Sequence, residues 1–245
     1  MLRFIRRSMP LVFAFGMSLG AVAPPSEAAT LTVIGDVNAG SADNLGLYEN
    51  VLNGGNQVVF SRGFGQLGGV VSHFRALGVT LTDRSALLTT AALTPVDLLV
   101  LTTNYNTIFD FSPAELAAIK AFGEGAGTVL LVAEAASATV LANYNAVLSA
   151  LGAKIRFTGE RFASTETLTE LPETELSAGL TTFRVSPYST LTGGSEAVTA
   201  ANGTVVAFET LGAPEPVPLP PALPMLAGGV GALVILSHVK RRRRS

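Results

Sequence analysis

Short apolar runs, rich in leucine and β-branched residues, alternate with helical segments through the middle of this chain. The clearest runs are residues 31–34, 79–81, 97–101 and 128–132. Runs of this length are typical of buried strands in parallel sheets. Helical segments fall between and after them, at residues 64–77, 112–125 and 138–151. The alternation predicts an α/β fold, in which right-handed crossovers build a doubly wound, mostly parallel sheet.

The second of these helices has the best-defined start. Ser112 is placed to be its N-cap, Pro113 suits the first helical position, and Glu115 completes a capping box. Gly123 or Gly125 is expected to end it.

The last part of the middle region, residues 162–211, is rich in Thr, Ser and Gly. Residues 155–157 are a candidate fifth strand of the parallel series, and later short strands are predicted at residues 182–185, 197–199 and 204–208. The pair Asn202-Gly203 separates the last two and is a strong hairpin signal. We therefore expect antiparallel strands added to one edge of the sheet. Residues 43–57 are predicted to be a long polar connection with a turn at Gly54-Gly55.

The N-terminus has the features of a secretory signal peptide, which is predicted to form a signal helix over residues 1–29. Arg3, Arg6 and Arg7 form a positive region, an apolar stretch follows at 10–22, and small residues at 26–29 suit cleavage. Export through the Sec machinery and removal by signal peptidase are the expectation. The alternative is an uncleaved membrane anchor, although the apolar stretch is short for a bilayer span.

The C-terminus has three parts. Residues 213–221 form a stiff proline-rich linker, 222–239 an apolar run long enough for a transmembrane helix, and 240–245 a basic cytoplasmic tail. A permanent tail anchor is one interpretation of this order.

The order of these parts also resembles the sorting tails that exosortases process in Gram-negative bacteria, known as PEP-CTERM tails. In the variant named for a Val-Pro-Leu-Pro-Ala motif, the matching residues are Val217, Pro218, Leu219 and Pro220. Pro221 stands where that motif has Ala. The resemblance implies a transient membrane anchor, an exosortase-like membrane protease as partner, and release of the domain to the envelope, cell surface or medium.

Between the two ends lies the expected globular domain, residues 30–212. It carries 8 Lys and Arg residues against 16 Asp and Glu residues, a net charge of 8 − 16 = −8. An acidic domain repels phosphate backbones, so nucleic acid is not expected as a partner. The chain has no Cys, which excludes disulfides, thiolate metal sites and cysteine nucleophiles.

A strand, a helix start and a glycine-led strand follow one another at residues 96–101, 111–116 and 125–132. This order resembles the class I glutamine amidotransferase-like superfamily, in its flavodoxin-like form. In that superfamily a nucleophilic Cys follows the glycine-led strand, whereas this chain has Ala133-Glu134-Ala135. The resemblance therefore implies the fold without the thiolate mechanism.

Ligands of open α/β sheets gather at the carboxyl ends of the strands. The candidate binding residues at those ends are Asp36, Asn38, Asn104, Tyr105, Asn106 and Glu134. This rim could bind a sugar, a peptide or a cation, and no metal or cofactor is predicted. A non-catalytic binding or structural domain, associated with exopolysaccharide or a biofilm matrix, is the preferred hypothesis. The alternatives are a hydrolase that uses the carboxylates and a purely structural role, in which Asp36 and Glu134 cap helices or satisfy loop amides.

Overall fold

A computed structural model describes residues 30–84, 86–125 and 127–212. The predicted signal peptide at 1–29 lies outside the described residues, as do the proline-rich linker and sorting motif at 213–221, the membrane segment at 222–239 and the basic tail at 240–245. Within the described ranges, no helix has both the length and the apolar character needed to cross a bilayer.

Five parallel strands form one half of a large mixed sheet. They are β1 (Thr30–Ile34), β2 (Gln57–Phe60), β3 (Thr80–Asp83), β4 (Leu98–Thr102) and β5 (Thr128–Val132). Their order across the sheet is β3-β2-β4-β5-β1, and every neighbouring pair is parallel. The predicted α/β class with a large parallel sheet is confirmed.

Helices cover both faces of this sheet. One face carries α1 (Leu45–Leu52), which follows a 3₁₀ turn at Ala42–Asn44, and α2 (Gly68–Ala76). The other face carries α3 (Thr90–Leu93), α4 (Pro113–Glu124) and α5 (Ala138–Ala150). Because side chains alternate along a strand, Leu98 and Val100 of β4 join the first core, and Leu99 and Leu101 join the second.

The start of α4 is built as its sequence predicts. The hydroxyl of Ser112 accepts a hydrogen bond from the backbone N–H of Glu115, and the Glu115 carboxylate accepts one from the backbone N–H of Ser112. The same carboxylate binds the guanidinium of Arg62 and the backbone N–H of Leu88. Burial opposes the charge of Glu115, but these hydrogen bonds outweigh it and lower its pKa. The capping box thus also ties two neighbouring loops to α4.

Antiparallel strands extend the sheet beyond β1, as predicted. They are β6 (Arg156–Phe162), β9 (Tyr188–Thr192), β10 (Ser195–Ala200) and β11 (Gly203–Thr210). Strand β11 pairs with β1, with its hairpin partner β10 and with β9, and β9 pairs in turn with β6. The expectation that residues 155–157 continue the parallel series is wrong, because β6 pairs antiparallel with β9 at the far end of the sheet. The first residue of β1, Thr30, lies opposite the last residue of β11, Thr210. A separate two-stranded sheet joins β7 (Glu166–Leu168) to β8 (Phe183–Val185).

The prediction of a polar connection over residues 43–57 is wrong, because this segment contains α1 and the start of β2. The side chains of Leu47, Tyr48, Val51 and Leu52 recur at helical spacing and are buried against the sheet. Asn53 then ends α1 in a left-handed conformation, with φ of 47°. The turn that the sequence indicated is therefore real, but it joins a helix to a strand.

The order of the parallel strands can be compared with that of flavodoxin-like sheets, which is 2-1-3-4-5. Strands β2 to β5 occupy the first four places of that order, and β1 takes the fifth place. The first strand of this domain is therefore at the border between the parallel and antiparallel halves, where β11 pairs with it.

Candidate functional site

The carboxyl ends of β1 and β5 are crossed by the antiparallel half of the sheet. The backbone of Gly35 donates to Val205 at 2.9 Å and accepts from Ser189 at 2.8 Å. The Ser189 hydroxyl accepts from the N–H of Ala135 and donates to its carbonyl oxygen. A Cβ atom on Gly35 would collide with the Ser189 carbonyl, so this close approach requires glycine. The edge where a ligand was expected is thus closed over these two strands.

Asp36 lies beneath this cover and is fully buried. Its carboxylate accepts hydrogen bonds from the backbone N–H of Asn38 at 2.7 Å and from the backbone N–H and hydroxyl of Ser186. A cavity of about 230 Å³ lies beside this group and is lined by Asn38, Ser41, Arg184 and Ser186. The Asp36 carboxylate therefore holds the loop before β9 against the end of β1.

Glu134 follows β5 and is only 1% exposed. Its Oε1 atom accepts a hydrogen bond from Nε of Arg161, on β6, at 2.6 Å. Its Oε2 atom is buried and has no hydrogen-bond partner among the described residues. One oxygen of Glu134 thus links the end of β5 to β6, and the other is buried without a hydrogen bond from any described residue.

The two buried carboxyl groups interact. Burial raises the pKa of Asp36, and the hydrogen bonds from Ser186 and Asn38 only partly oppose this effect. Burial also raises the pKa of Glu134; the hydrogen bond and charge of Arg161 lower it, and the charge of Asp36 raises it further. Of these two acids at adjacent strand ends, only Glu134 is paired with a cation among the residues that the structure describes, and the pKa of both is raised, which favours the protonated form of each.

The loop after β4 carries the exposed members of the predicted rim. Tyr105 is 42% exposed, and the guanidinium of Arg161 lies 5.1 Å from the centre of its ring. Asn104 and Asn106 are also exposed. The side-chain oxygen of Asn106 accepts a hydrogen bond from the backbone N–H of Ala136, and the backbone N–H of Asn106 donates to the Glu134 carbonyl oxygen.

The six predicted residues thus fall into two groups. In the first group, Glu134 and Tyr105 contact Arg161, Asn106 bonds to the backbone of Glu134, and Asn104 lies in the same loop. In the second group, Asn38 and Ser186 both bond to Asp36. Sequence reasoning missed Arg161 and Ser186. The only signal for Arg161 was a positive charge in an acidic domain. Ser186 carried no signal, because its partner lies 150 residues away.

In the described ranges, no group of three or more Asp, Glu or His side chains is arranged to hold a metal ion. What the arrangement does is hold β6 and β9 over the end of the parallel sheet. No protein-family model matches this chain, and neither a curated protein nor a solved structure matches it significantly.

Proposed function

We propose that this chain is an exported envelope protein whose α/β domain is a non-catalytic binding or structural module, associated with exopolysaccharide or a biofilm matrix. The observation that carries the proposal is the burial of Asp36 and Glu134 under β6 and β9. Both carboxyl groups are engaged in contacts within the domain. A general acid or base must reach its substrate within hydrogen-bond distance, and this cover keeps substrate from both groups.

The sorting pathway is a further part of the proposal. It rests on the signal-like residues 1–29 and on the motif residues Val217, Pro218, Leu219 and Pro220, followed by an apolar run and a basic end. In this scheme an exosortase-like protease cuts at the motif and releases the domain outward. Mass spectrometry of the mature protein from inner membrane, envelope and medium fractions tests it. Recovery of the chain with an intact C-terminus in the inner membrane would instead support a permanent anchor.

A relation to the amidotransferase-like superfamily is also proposed, and the strand order supports it in part. Four parallel strands keep the flavodoxin-like order, while β1 lies in the fifth place. The residue at the nucleophile's position is within Ala133-Glu134-Ala135, so the proposed relation concerns ancestry of the fold and carries no activity.

A carboxylate-dependent hydrolase is the second candidate, and one observation favours it. Glu134 has a raised pKa and a buried oxygen without a partner, as a general acid would. If β6 and the loop before β9 moved away together, Glu134 and Asp36 would both be uncovered.

The two candidates are separated by measuring polysaccharide turnover and polysaccharide binding for the unaltered chain and for the variants Asp36→Asn and Glu134→Gln. The binding proposal expects no turnover by the unaltered chain and unchanged glycan retention by both variants. Glu160→Gln, which changes an exposed carboxylate of β6, is the control. Turnover by the unaltered chain that both site variants abolish, and the control retains, would establish the hydrolase.

A further inference from the structure

A second concave site lies at the opposite edge of the sheet, where β4 and β5 begin. This cleft has a volume of about 450 Å³, within the range of about 300–1,000 Å³ that small-molecule sites occupy. It lies between the C-terminal ends of α1 and α4 and the short helix α3. Its lining includes Leu93, Val96, Phe122, Thr90, Thr94 and Asp97.

The cleft has an apolar floor. Leu93 and Val96 are buried at its base, and the half-buried ring of Phe122 forms one wall. The ring of Phe122 lies so close to Gly127 that a Cβ atom at that position would overlap it. The glycine therefore lets the aromatic ring lie against the chain, with part of the ring left open to the cleft.

The rim is polar and carries one fixed carboxylate. Oδ2 of Asp97 accepts hydrogen bonds from the backbone N–H groups of Asn56 at 2.7 Å and Gln57 at 2.9 Å. Both bonds end on the same oxygen, and Oδ1 makes no hydrogen bond within the described part of the chain. The side chain is exposed, so this second oxygen is held in place and is open to a ligand donor.

We propose that this cleft binds one or two units of an uncharged saccharide, an inference that rests on the proposed glycan association. A pyranose ring has an apolar face of C–H groups and a rim of hydroxyls. The Phe122 ring and the floor match the apolar face. Oδ1 of Asp97 and the hydroxyls of Thr90 and Thr94 match the rim, since hydroxyl groups taken out of water require partners.

Charge selects among saccharides. Among the described residues that line the cleft, Asp97 alone is charged, and the domain around it has a net charge of 8 − 16 = −8. Uronic acids and phosphorylated or sulfated sugars would place an anion beside this carboxylate with no cation to compensate it. The cleft is therefore specific for neutral sugars.

The test is a binding titration of the full-length chain, purified in detergent, with neutral hexoses, N-acetylhexosamines and hexuronic acids, followed by ligand-observed NMR. An open cleft with few polar partners predicts a dissociation constant on the order of 1 mM for a neutral sugar. Ala121→Trp fills the cleft from the exposed side of α4 and should weaken binding at least about tenfold. Ala114→Trp makes the same change at an exposed position of α4 outside the cleft and should bind normally.

Asp97→Asn is the second variant. It retains an oxygen for the N–H groups of Asn56 and Gln57 and replaces the charged acceptor, so binding should weaken with little loss of folding. Circular dichroism confirms that each variant is folded. Unchanged binding by a folded Ala121→Trp variant would show that the cleft is not the saccharide site, while leaving the glycan-binding proposal in place. No binding of any sugar by the unaltered chain would overturn the assignment of the cleft, whereas the glycan association itself is overturned by a lack of polysaccharide retention. Equal binding of hexuronic acids would overturn the charge argument.

Discussion

Replacing Glu134 by Gln should change how the stability of the domain depends on pH. Burial raises the pKa of Glu134, and this rise persists against the opposing effect of Arg161. Between the unfolded and folded pKa values, the folded protein keeps a proton on this carboxyl group that the unfolded chain has released. The stabilisation is complete below the ordinary pKa of 4.5 and is lost as the pH rises through the folded value.

The magnitude follows from the proton count. One extra proton in the folded state lowers the free energy of unfolding by about 1.4 kcal/mol for each pH unit of rise. Asp36, whose pKa is raised in the same direction, adds a second term of equal sign. Where both windows overlap, their joint slope is about −2.8 kcal/mol per pH unit, and Glu134→Gln retains only the half that belongs to Asp36.

The assay is urea unfolding, followed by circular dichroism, between about pH 4.5 and about pH 8. Carboxylates with lowered pKa values, such as Glu115, make the free energy of unfolding rise with pH instead of fall. This contribution is the same in the unaltered protein and in Glu134→Gln. The difference between them therefore isolates Glu134, and Glu134→Gln should gain relative stability as the pH rises. Glu160→Gln, exposed on β6, should follow the unaltered protein. Parallel stability curves for the unaltered protein and Glu134→Gln would refute the reasoning.

Two further predictions concern packing and burial. Gly35→Ala should lower the free energy of unfolding by about 1–3 kcal/mol or more, because its methyl group meets the Ser189 carbonyl, whereas Gly68→Ala, with open space around it, should be neutral or stabilising in chemical denaturation. Tyr48→Phe removes a buried hydroxyl that has no hydrogen-bond partner in the described part of the domain and should leave stability unchanged or higher, whereas Tyr144→Phe loses a 2.8 Å hydrogen bond and should cost about 1 kcal/mol. Equal losses for the two tyrosine variants in thermal unfolding would contradict the second prediction.

The parallel half of the fold was predictable because its signals are local. Strands β4 and β5 are continuous apolar runs, and the start of α4 is a capping box within four residues. Helix α1 was missed because Gly54-Gly55 and the surrounding polar residues suggested a connection, although its buried residues do recur at helical spacing. Strands β2, β7 and β9 were missed. Strands β2 and β7 have only 4 and 3 residues, and β7 and β9 are not distinguished by composition from their polar surroundings.

The candidate site was predictable only in part, and the reason is sequence distance. That Asp36 and Glu134 both follow strands at the carboxyl edge of the sheet could be inferred from the βαβ pattern. That these two strands are neighbours could not, because the flavodoxin-like order would not place the first strand beside β5. The partners of these carboxyl groups could not be inferred either, because Ser186 and Arg161 reach them from the antiparallel half, 150 and 27 residues away along the chain. No local pattern marks a strand that crosses the end of a sheet built much earlier in the chain.

The pairing of Thr30 with Thr210 has a mechanical consequence. The described domain begins and ends at neighbouring positions, so a force applied through either end acts first on the paired strands β1 and β11. A cut on either side of the domain would break no hydrogen bond between those strands. In the proposed sorting scheme, one proteolytic cut would therefore release the domain with its sheet unchanged.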